Sequence, residues 1–92
     1  MKDAIKKVLK EHNAYWFCPV QNGMGSAGLD FHCCHYGRAF FIEAKAPGKK
    51  PTPRQLVTIK TIERSGGKVF VIDGDTSYLD KWLDRQGYQF DD

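Results

Sequence analysis

Residues 38–46 of the chain, RAFFIEAKA, decide the fold, because an apolar run leads there directly into charged residues. A second run of β-type residues, LDFHCCHY at 29–36, comes just before it, and Gly37 separates the two. A glycine between two such runs favours a tight antiparallel hairpin. We therefore predict strands over residues 29–36 and 38–46, both of them central in a sheet.

The segments before this hairpin predict a helix and an edge strand. Apolar residues recur at helical spacing in the first segment, which predicts a helix over residues 2–12. Residues 15–20 are aromatic and β-branched, but Pro19 cannot donate a ladder hydrogen bond, so we expect a short edge strand there. A loop should follow over residues 21–28.

The segment after the hairpin carries a clear helix-start signal. Thr52, Pro53 and Gln55 supply an N-cap, a proline at the first helical position and the glutamine of a capping box. Gly66 and Gly67 should end this helix. Its buried stripe is predicted to consist of Leu56, Ile59 and Ile62.

The order of elements predicts an α/β fold. A last strand over residues 68–73 and a last helix over residues 75–86 complete the order α-β-β-β-α-β-α, which predicts a mixed sheet flanked by helices. We expect a single domain over residues 1–92. The hydrophobic share of 41% excludes a disordered chain, while a net charge of +3 is too small to identify a phosphate-rich partner by itself.

The sequence also predicts a cytoplasmic protein with no membrane contact. Its longest apolar stretches are too short to span a bilayer, and no N-terminal segment reads as a signal peptide. The three cysteines form an odd count, at spacings unlike those of a secreted disulfide framework. Reduced thiols are therefore expected.

The hairpin brings three charged residues together. Glu43 and Lys45 lie two apart on one strand, so they share a face, and Asp30 should lie opposite Glu43 or Ala44 if the strands pair about Gly37. A carboxylate at the end of so apolar a strand carries a desolvation cost that a metal ion could offset. Two carboxylates and a lysine suit phosphodiester hydrolysis, because Mg²⁺ and Mn²⁺ prefer hard oxygen ligands. A surface salt bridge between Glu43 and Lys45 is the simpler alternative.

With Gly48-Lys49 and Gln55, these residues resemble the PD-(D/E)xK nucleases, specifically the virus-type replication-repair nuclease (VRR-NUC) family. The resemblance implies a restriction-endonuclease-like fold in which Asp30, Glu43 and the carbonyl of Ala44 bind Mg²⁺ or Mn²⁺. It implies that Lys45 assists the attacking water and that the helical Gln55 belongs to the site. The implied function is a metal-dependent DNA endonuclease of bacterial or phage-infected cells, acting as a homodimer on branched DNA such as four-way (Holliday) junctions.

The chain departs from the family pattern at two positions. Leu29 stands where the family has a proline, which shapes the backbone and supplies no chemistry. The acidic residue that the family carries on its first helix has only Asp3 and Glu11 as candidates, and the placement of Asp3 matches better. Gln55 has two competing uses, in the capping box and in the site, and we expect it to divide its time between them.

The role of three cations and the choice of substrate both have alternatives. Lys49, Lys50 and Arg54 follow the predicted catalytic strand and could hold the DNA backbone, or could simply form a solvated basic loop. The substrate could also be a flap, a nick or ordinary duplex DNA. A DNA-binding module that lacks the chemistry is the non-enzymatic alternative.

Three further sequence patterns resemble functional motifs, but each is better explained without that function. The G-x-G-x-x-G at residues 23–28 leads into a strand rather than a helix, which argues against a nucleotide cofactor. The HCCH run at residues 32–35 alternates between two faces of a strand, so the cysteines should pack in the core rather than bind zinc, while His32 shares the face of Asp30. The aromatic residues 15–17 could stack on unpaired bases, but we expect them to fill the core.

Overall fold

The computed structural model describes residues 2–19 and 28–89, which form three helices and four strands in the predicted order. The elements are α1 (Lys2–Glu11), β1 (Tyr15–Phe17), β2 (Phe31–His35), β3 (Arg38–Ala44), α2 (Pro53–Arg64), β4 (Lys68–Ile72) and α3 (Ser77–Gln89). The predicted glycine loop lies outside the described residues, apart from Gly28. None of these helices combines the length and the apolar character that a bilayer crossing requires.

The four strands form one mixed sheet in the order β1-β2-β3-β4. The first two pairings are antiparallel and the pairing of β3 with β4 is parallel. The predictions of an α/β fold and of two central hairpin strands are therefore confirmed. The parallel step requires a crossover between β3 and β4, which α2 supplies.

The hairpin between β2 and β3 turns on two residues with positive φ, Tyr36 at 49° and Gly37 at 80°. Two positive φ values in a two-residue loop match the right-handed twist of the flanking strands. The pairing of His35 with Arg38 continues in step to Phe31 opposite Ile42. The same register, extended by one residue, sets Asp30 opposite Glu43, as the sequence predicts.

The hydrophobic core lies between one face of the sheet and the helices α1 and α3. Inward-facing residues alternate with outward-facing ones along β2 and β3, and Trp16 and Trp82 pack against the rim. The core consists of Ile5, Val8, Leu9, Ala14, Phe31, Cys33, Phe40, Ile42, Phe70, Ile72, Leu79 and Leu83. This layer fixes β3 in place, because burial of such side chains is the main force that drives folding.

Helix α2 lies over the opposite face of the sheet and has the predicted caps. The side chain of Thr52 accepts from the N–H of Gln55, and the side chain of Gln55 accepts from the N–H of Thr52. At its other end Gly67 packs so closely that a Cβ there would lie 2.6 Å from Cγ2 of Ile62. The predicted buried stripe is confirmed at Ile59 and wrong at Leu56, which is 43% exposed because α2 covers only part of this face.

Several strand boundaries and burial predictions need correction. Strand β1 ends at Phe17, β2 begins only after Asp30, and β3 ends at Ala44, so all three strands are shorter than predicted. At Asp30 the contact with β3 is made by the side chain. Of the aromatic residues 15–17, Trp16 packs on the core, but Tyr15 and Phe17 face the other side of an edge strand and are more than half exposed.

The cysteines are all free thiols, as predicted, but only one lies in the core. Burial, and then the neighbouring Cys18 and Cys34, raise the pKa of Cys33 to about 12, so this thiol stays protonated. Cys18 and Cys34 are exposed, which contradicts the prediction that they pack in the core. Cys34 is on the face of β2 opposite the core, and Cys18 follows the end of β1.

His35 ties the end of α1 to the end of β2. Its Nε2 lies 3.1 Å from the carbonyl of His12, and the ring is only 6% exposed. Burial lowers the pKa of His35, so the neutral ring donates from Nε2. Nearby, Nε2 of His12 lies 2.6 Å from Asp80 of α3. The far end of the sheet is thus closed by histidine contacts.

The lowered pKa of His35 predicts a loss of stability in mild acid. The unfolded chain takes up a proton near pH 6.5 and the folded chain only at lower pH, so the free energy of unfolding should fall as the pH drops below 6.5. Urea unfolding between pH 8 and pH 5 measures this loss. The variant His35→Gln keeps a donor but cannot titrate, and it should lose less stability over this range; equal losses would contradict the assignment.

Candidate active site

Asp30 and Glu43 converge where β2 begins and β3 ends. The backbone N–H of Ala44 donates to Oδ2 of Asp30 at 2.8 Å, which fixes the aspartate against the end of the neighbouring strand. Glu43 occupies the opposite register position on β3. The structure therefore brings the two predicted carboxylates together, and the register of the hairpin is the reason.

Glu43 is a buried carboxylate, only 4% exposed. Burial raises its pKa first, and the charge of Asp30 raises it further, while the ammonium of Lys45 acts in the opposite direction. Nζ of Lys45 lies 3.4 Å from Oε2 of Glu43, and both side chains are largely shielded from water. This pair is therefore not the exposed surface salt bridge that the sequence left open, because it lies in a desolvated position next to a second carboxylate.

Gln55 makes the predicted capping contact and, at the same time, a contact with Glu43. Its Oε1 accepts from the N–H of Thr52 at 2.9 Å, and its Nε2 donates to Oε2 of Glu43 at 2.8 Å. The expectation that one contact excludes the other was wrong, because a side-chain amide carries its acceptor and its donors on different atoms. The start of α2 is therefore linked directly to the buried carboxylate.

Lys2 contacts the candidate site, which the sequence did not reveal. Its Nζ lies 3.5 Å from Oδ1 of Asp30, so the first residue of α1 reaches the carboxylates from the core side of the sheet. Helical spacing placed Lys2 on the polar face of α1, but no local pattern showed which strand that helix end would meet. Asp3 is exposed beside it, whereas Glu11 lies at the other end of α1, so only Asp3 is near the site.

The three predicted DNA-binding cations lie on the surface between β3 and the first turn of α2. Lys49, Lys50 and Arg54 are all exposed. They lie in the chain between Lys45 and Gln55, whose side chains both contact Glu43.

His32 shares the outward face with the carboxylates, as predicted, and its ring packs edge-on against Phe41 at 5.2 Å. Cys33 and His35 are buried on the opposite face, so the HCCH run does not converge on one point. Within residues 2–19 and 28–89, no group of three or more His, Cys, Asp or Glu side chains could hold a metal ion. A zinc site at this run therefore has no support among the described residues.

A divalent cation nevertheless suits the carboxylate pair. The ammonium groups of Lys2 and Lys45 stand beside Asp30 and Glu43, so each carboxylate already accommodates a positive charge. Mg²⁺ is commonly held by one or two protein carboxylates, with water and substrate phosphate completing its shell. The carbonyl of Ala44, which lies in the chain between Glu43 and Lys45, is a third oxygen that the resemblance seen in the sequence points to.

Comparison with known proteins identifies the fold. No protein-family model matches the chain, and no curated protein sequence matches it. The mixed four-stranded sheet with three helices makes this an α/β fold. A solved structure described as a VRR_NUC domain aligns with 97% of this chain and 95% of its own, with a TM-score of 0.64 and 20% sequence identity. The chain therefore has the VRR-NUC fold, and the resemblance seen in the sequence is confirmed at that level.

The double contact of Gln55 predicts a charge-dependent coupling with Glu43. The variant Gln55→Glu keeps an acceptor for Thr52 but adds a carboxylate to the pair that Glu43 already forms with Asp30, which should lower the free energy of unfolding by about 1–3 kcal/mol. Adding Glu43→Gln restores one donor and one acceptor, and the double variant should recover most of the loss. Urea unfolding at neutral pH with a chelator measures this cycle. Additive losses would contradict the contact.

Proposed function

We propose that this chain is a Mg²⁺- or Mn²⁺-dependent endonuclease that hydrolyses phosphodiester bonds in DNA. The observation that supports the proposal is the convergence of Asp30, Glu43 and Lys45 at one end of the central hairpin of a VRR-NUC fold. In this proposal Asp30, Glu43 and the carbonyl of Ala44 hold the metal. Lys45 and Gln55 complete the site.

The desolvation of Glu43 supports metal binding. Burial of Glu43 raises its pKa, the charge of Asp30 raises it further, and a bound cation offsets both the burial and the repulsion. When bound, the metal polarises the phosphate and lowers the pKa of a coordinated water molecule. Metal binding should therefore also stabilise the folded chain, since the ion binds the native carboxylates in preference to the unfolded ones.

The protein's own residues hold and orient the reacting groups. The N–H of Ala44 restrains Oδ2 of Asp30, and the amide of Gln55 restrains Oε2 of Glu43, so neither carboxylate is free to rotate. In the proposal the ammonium of Lys45 donates to the attacking water and stabilises the negative charge that develops on the phosphate. Lys49, Lys50 and Arg54 contact flanking phosphates and hold the strand in place.

We further propose that the chain forms a homodimer and that its substrate is branched DNA. A small domain of this fold offers little surface for a large substrate, and a homodimer would present two active sites to the arms of a four-way junction. Its site of action would be the cytoplasm, in keeping with three free thiols. These parts rest on the fold comparison and are tested by cleavage of junctions, flaps, nicked DNA and duplex DNA in parallel.

Substitution of Glu43 or Lys45 should strongly reduce cleavage while the protein remains folded. Glu43→Gln and Lys45→Met should each reduce the metal-dependent rate by about 100-fold or more, since positioned charge and proton transfer typically contribute that much. Glu63→Gln and Lys60→Met make the same changes on exposed positions of α2 and should cleave at the wild-type rate.

The midpoint of thermal unfolding should rise with Mg²⁺ in the wild type and much less in Glu43→Gln.

Two outcomes would contradict this proposal in different ways. Full cleavage by pure Glu43→Gln would remove the site assignment. DNA binding by the wild type with no cleavage in either Mg²⁺ or Mn²⁺ would leave the alternative of a DNA-binding module without chemistry.

One observation favours unpaired DNA strands as the substrate over intact duplex. Tyr15 and Phe17 are 64% and 53% exposed, and Phe17 pairs across the sheet with His32, on the face that carries the carboxylates. Exposed aromatic rings stack on unpaired bases but find no such surface in an intact duplex. This row of rings supports flaps or frayed junction arms as the DNA that enters the site.

Loss of these rings should weaken binding to single strands selectively. Tyr15→Ala combined with Phe17→Ala should reduce affinity for a single-stranded oligonucleotide by at least about fivefold, because each stacked base contributes about 1–3 kcal/mol. Affinity for the corresponding duplex should change little. Tyr78→Ala removes an exposed ring from α3 and is the matched control. Equal losses for both DNA forms, or a change in oligomeric state alone, would contradict stacking.

A further inference from the structure

Helix α1 carries a row of lysines that starts at the candidate active site. Lys2, Lys6 and Lys10 are spaced four residues apart and therefore lie along one side of the helix, with Lys7 beside them. Lys7 and Lys10 are exposed and Lys6 is half-buried. We call Lys2, Lys6 and Lys10 the lysine row.

Contacts at the two ends of α1 give the direction of the row. Lys2 lies 3.5 Å from Asp30, which directly precedes β2, and the carbonyl of His12 accepts from His35, at the other end of β2. The helix therefore runs along β2, away from the carboxylates. From Lys2 to Lys10 it extends about 12 Å, at about 1.5 Å per residue.

The row has no structural purpose that its contacts reveal. Like charges four residues apart repel one another and weaken a helix. Among the described residues, no carboxylate lies within ion-pair distance of Lys6, Lys7 or Lys10, although Asp3 and Glu11 are on the same helix. Lys2 is paired with Asp30, whereas Lys6 and Lys10 have no ion-pair partner among the described residues, so the row presents positive charge on the surface that extends from the site beyond Lys2.

We propose that the lysine row binds the sugar-phosphate backbone of the DNA strand on one side of the cleavage point. Each DNA strand carries one phosphate per about 3.4 Å of helix axis, so a row of about 12 Å faces about three to four phosphates. Lys49 and Lys50 follow β3 in the connection to α2 and form a separate set of exposed cations. This inference rests on the proposed function for its substrate and adds a second, separate binding surface.

The salt dependence of binding tests the row directly. In a chelator, without cleavage, the slope of log affinity against log salt concentration should decrease in magnitude by about 0.9 for each phosphate of duplex DNA that the protein no longer neutralises. The double variant Lys6→Gln/Lys10→Gln should therefore show a slope smaller by close to two units and bind more weakly at low salt. Glutamine is a good helix former, so α1 should persist, and circular dichroism verifies this.

Two matched variants separate backbone binding from other effects. Lys6→Arg/Lys10→Arg keeps the charges and should retain the wild-type slope. Lys81→Gln removes a lysine from an exposed position of α3, whose neighbouring Asp80 contacts His12 at the far end of α1, and it should also retain the slope. A wild-type slope in the glutamine double variant, or an equal decrease in Lys81→Gln, would overturn the proposal. Because binding is measured without metal, failure of cleavage would contradict the proposed function and leave this result intact.

Discussion

A single hydrogen bond, from the backbone N–H of Ala44 to Oδ2 of Asp30, closes the end of the central hairpin at which the carboxylates meet. It depends on the register of β2 and β3, which the two-residue turn at Tyr36 and Gly37 sets. A shift of one residue would turn Glu43 into the core and Ile42 out of it. The core packing of β3 and the position of its carboxylate are therefore enforced together.

A second contact extends this constraint to α2. Gln55 joins the first turn of the helix to Oε2 of Glu43, while its other amide atom completes the capping box with Thr52. The same side chain thus satisfies a backbone donor at a helix start and a buried acceptor in the sheet. An unpaired backbone N–H at Thr52 or an unpaired carboxylate oxygen at Glu43 would each destabilise the fold, and Gln55 is the partner of both.

The sequence predicted what local patterns control. The apolar run before Glu43, the glycine between two strands and the capping box of Thr52 each act over a few residues, and all three are confirmed. What it missed depends on packing between distant segments. No local signal showed that Lys2 would meet Asp30, that Tyr15 and Phe17 would face away from the core, or that α2 would leave Leu56 exposed. We also assumed that a glutamine in a capping box cannot make a second contact. That was wrong, because the cap uses the oxygen of the Gln55 side chain and its amide nitrogen can still donate.

The contacts that assemble the site join residues that are close together in the sequence. Asp30, Glu43, Lys45 and Gln55 lie on a hairpin, a short connection and the first turn of a helix that follow one another in the chain. Each of their mutual contacts spans fewer than fifteen positions, as the separations of twelve and fourteen residues show. Short loops close with little entropic cost, so this segment can acquire its geometry early in folding. The carboxylate geometry is therefore encoded in one continuous stretch of sequence, while β1 and β4 extend the sheet on either side of it and α1 and α3 supply its core packing.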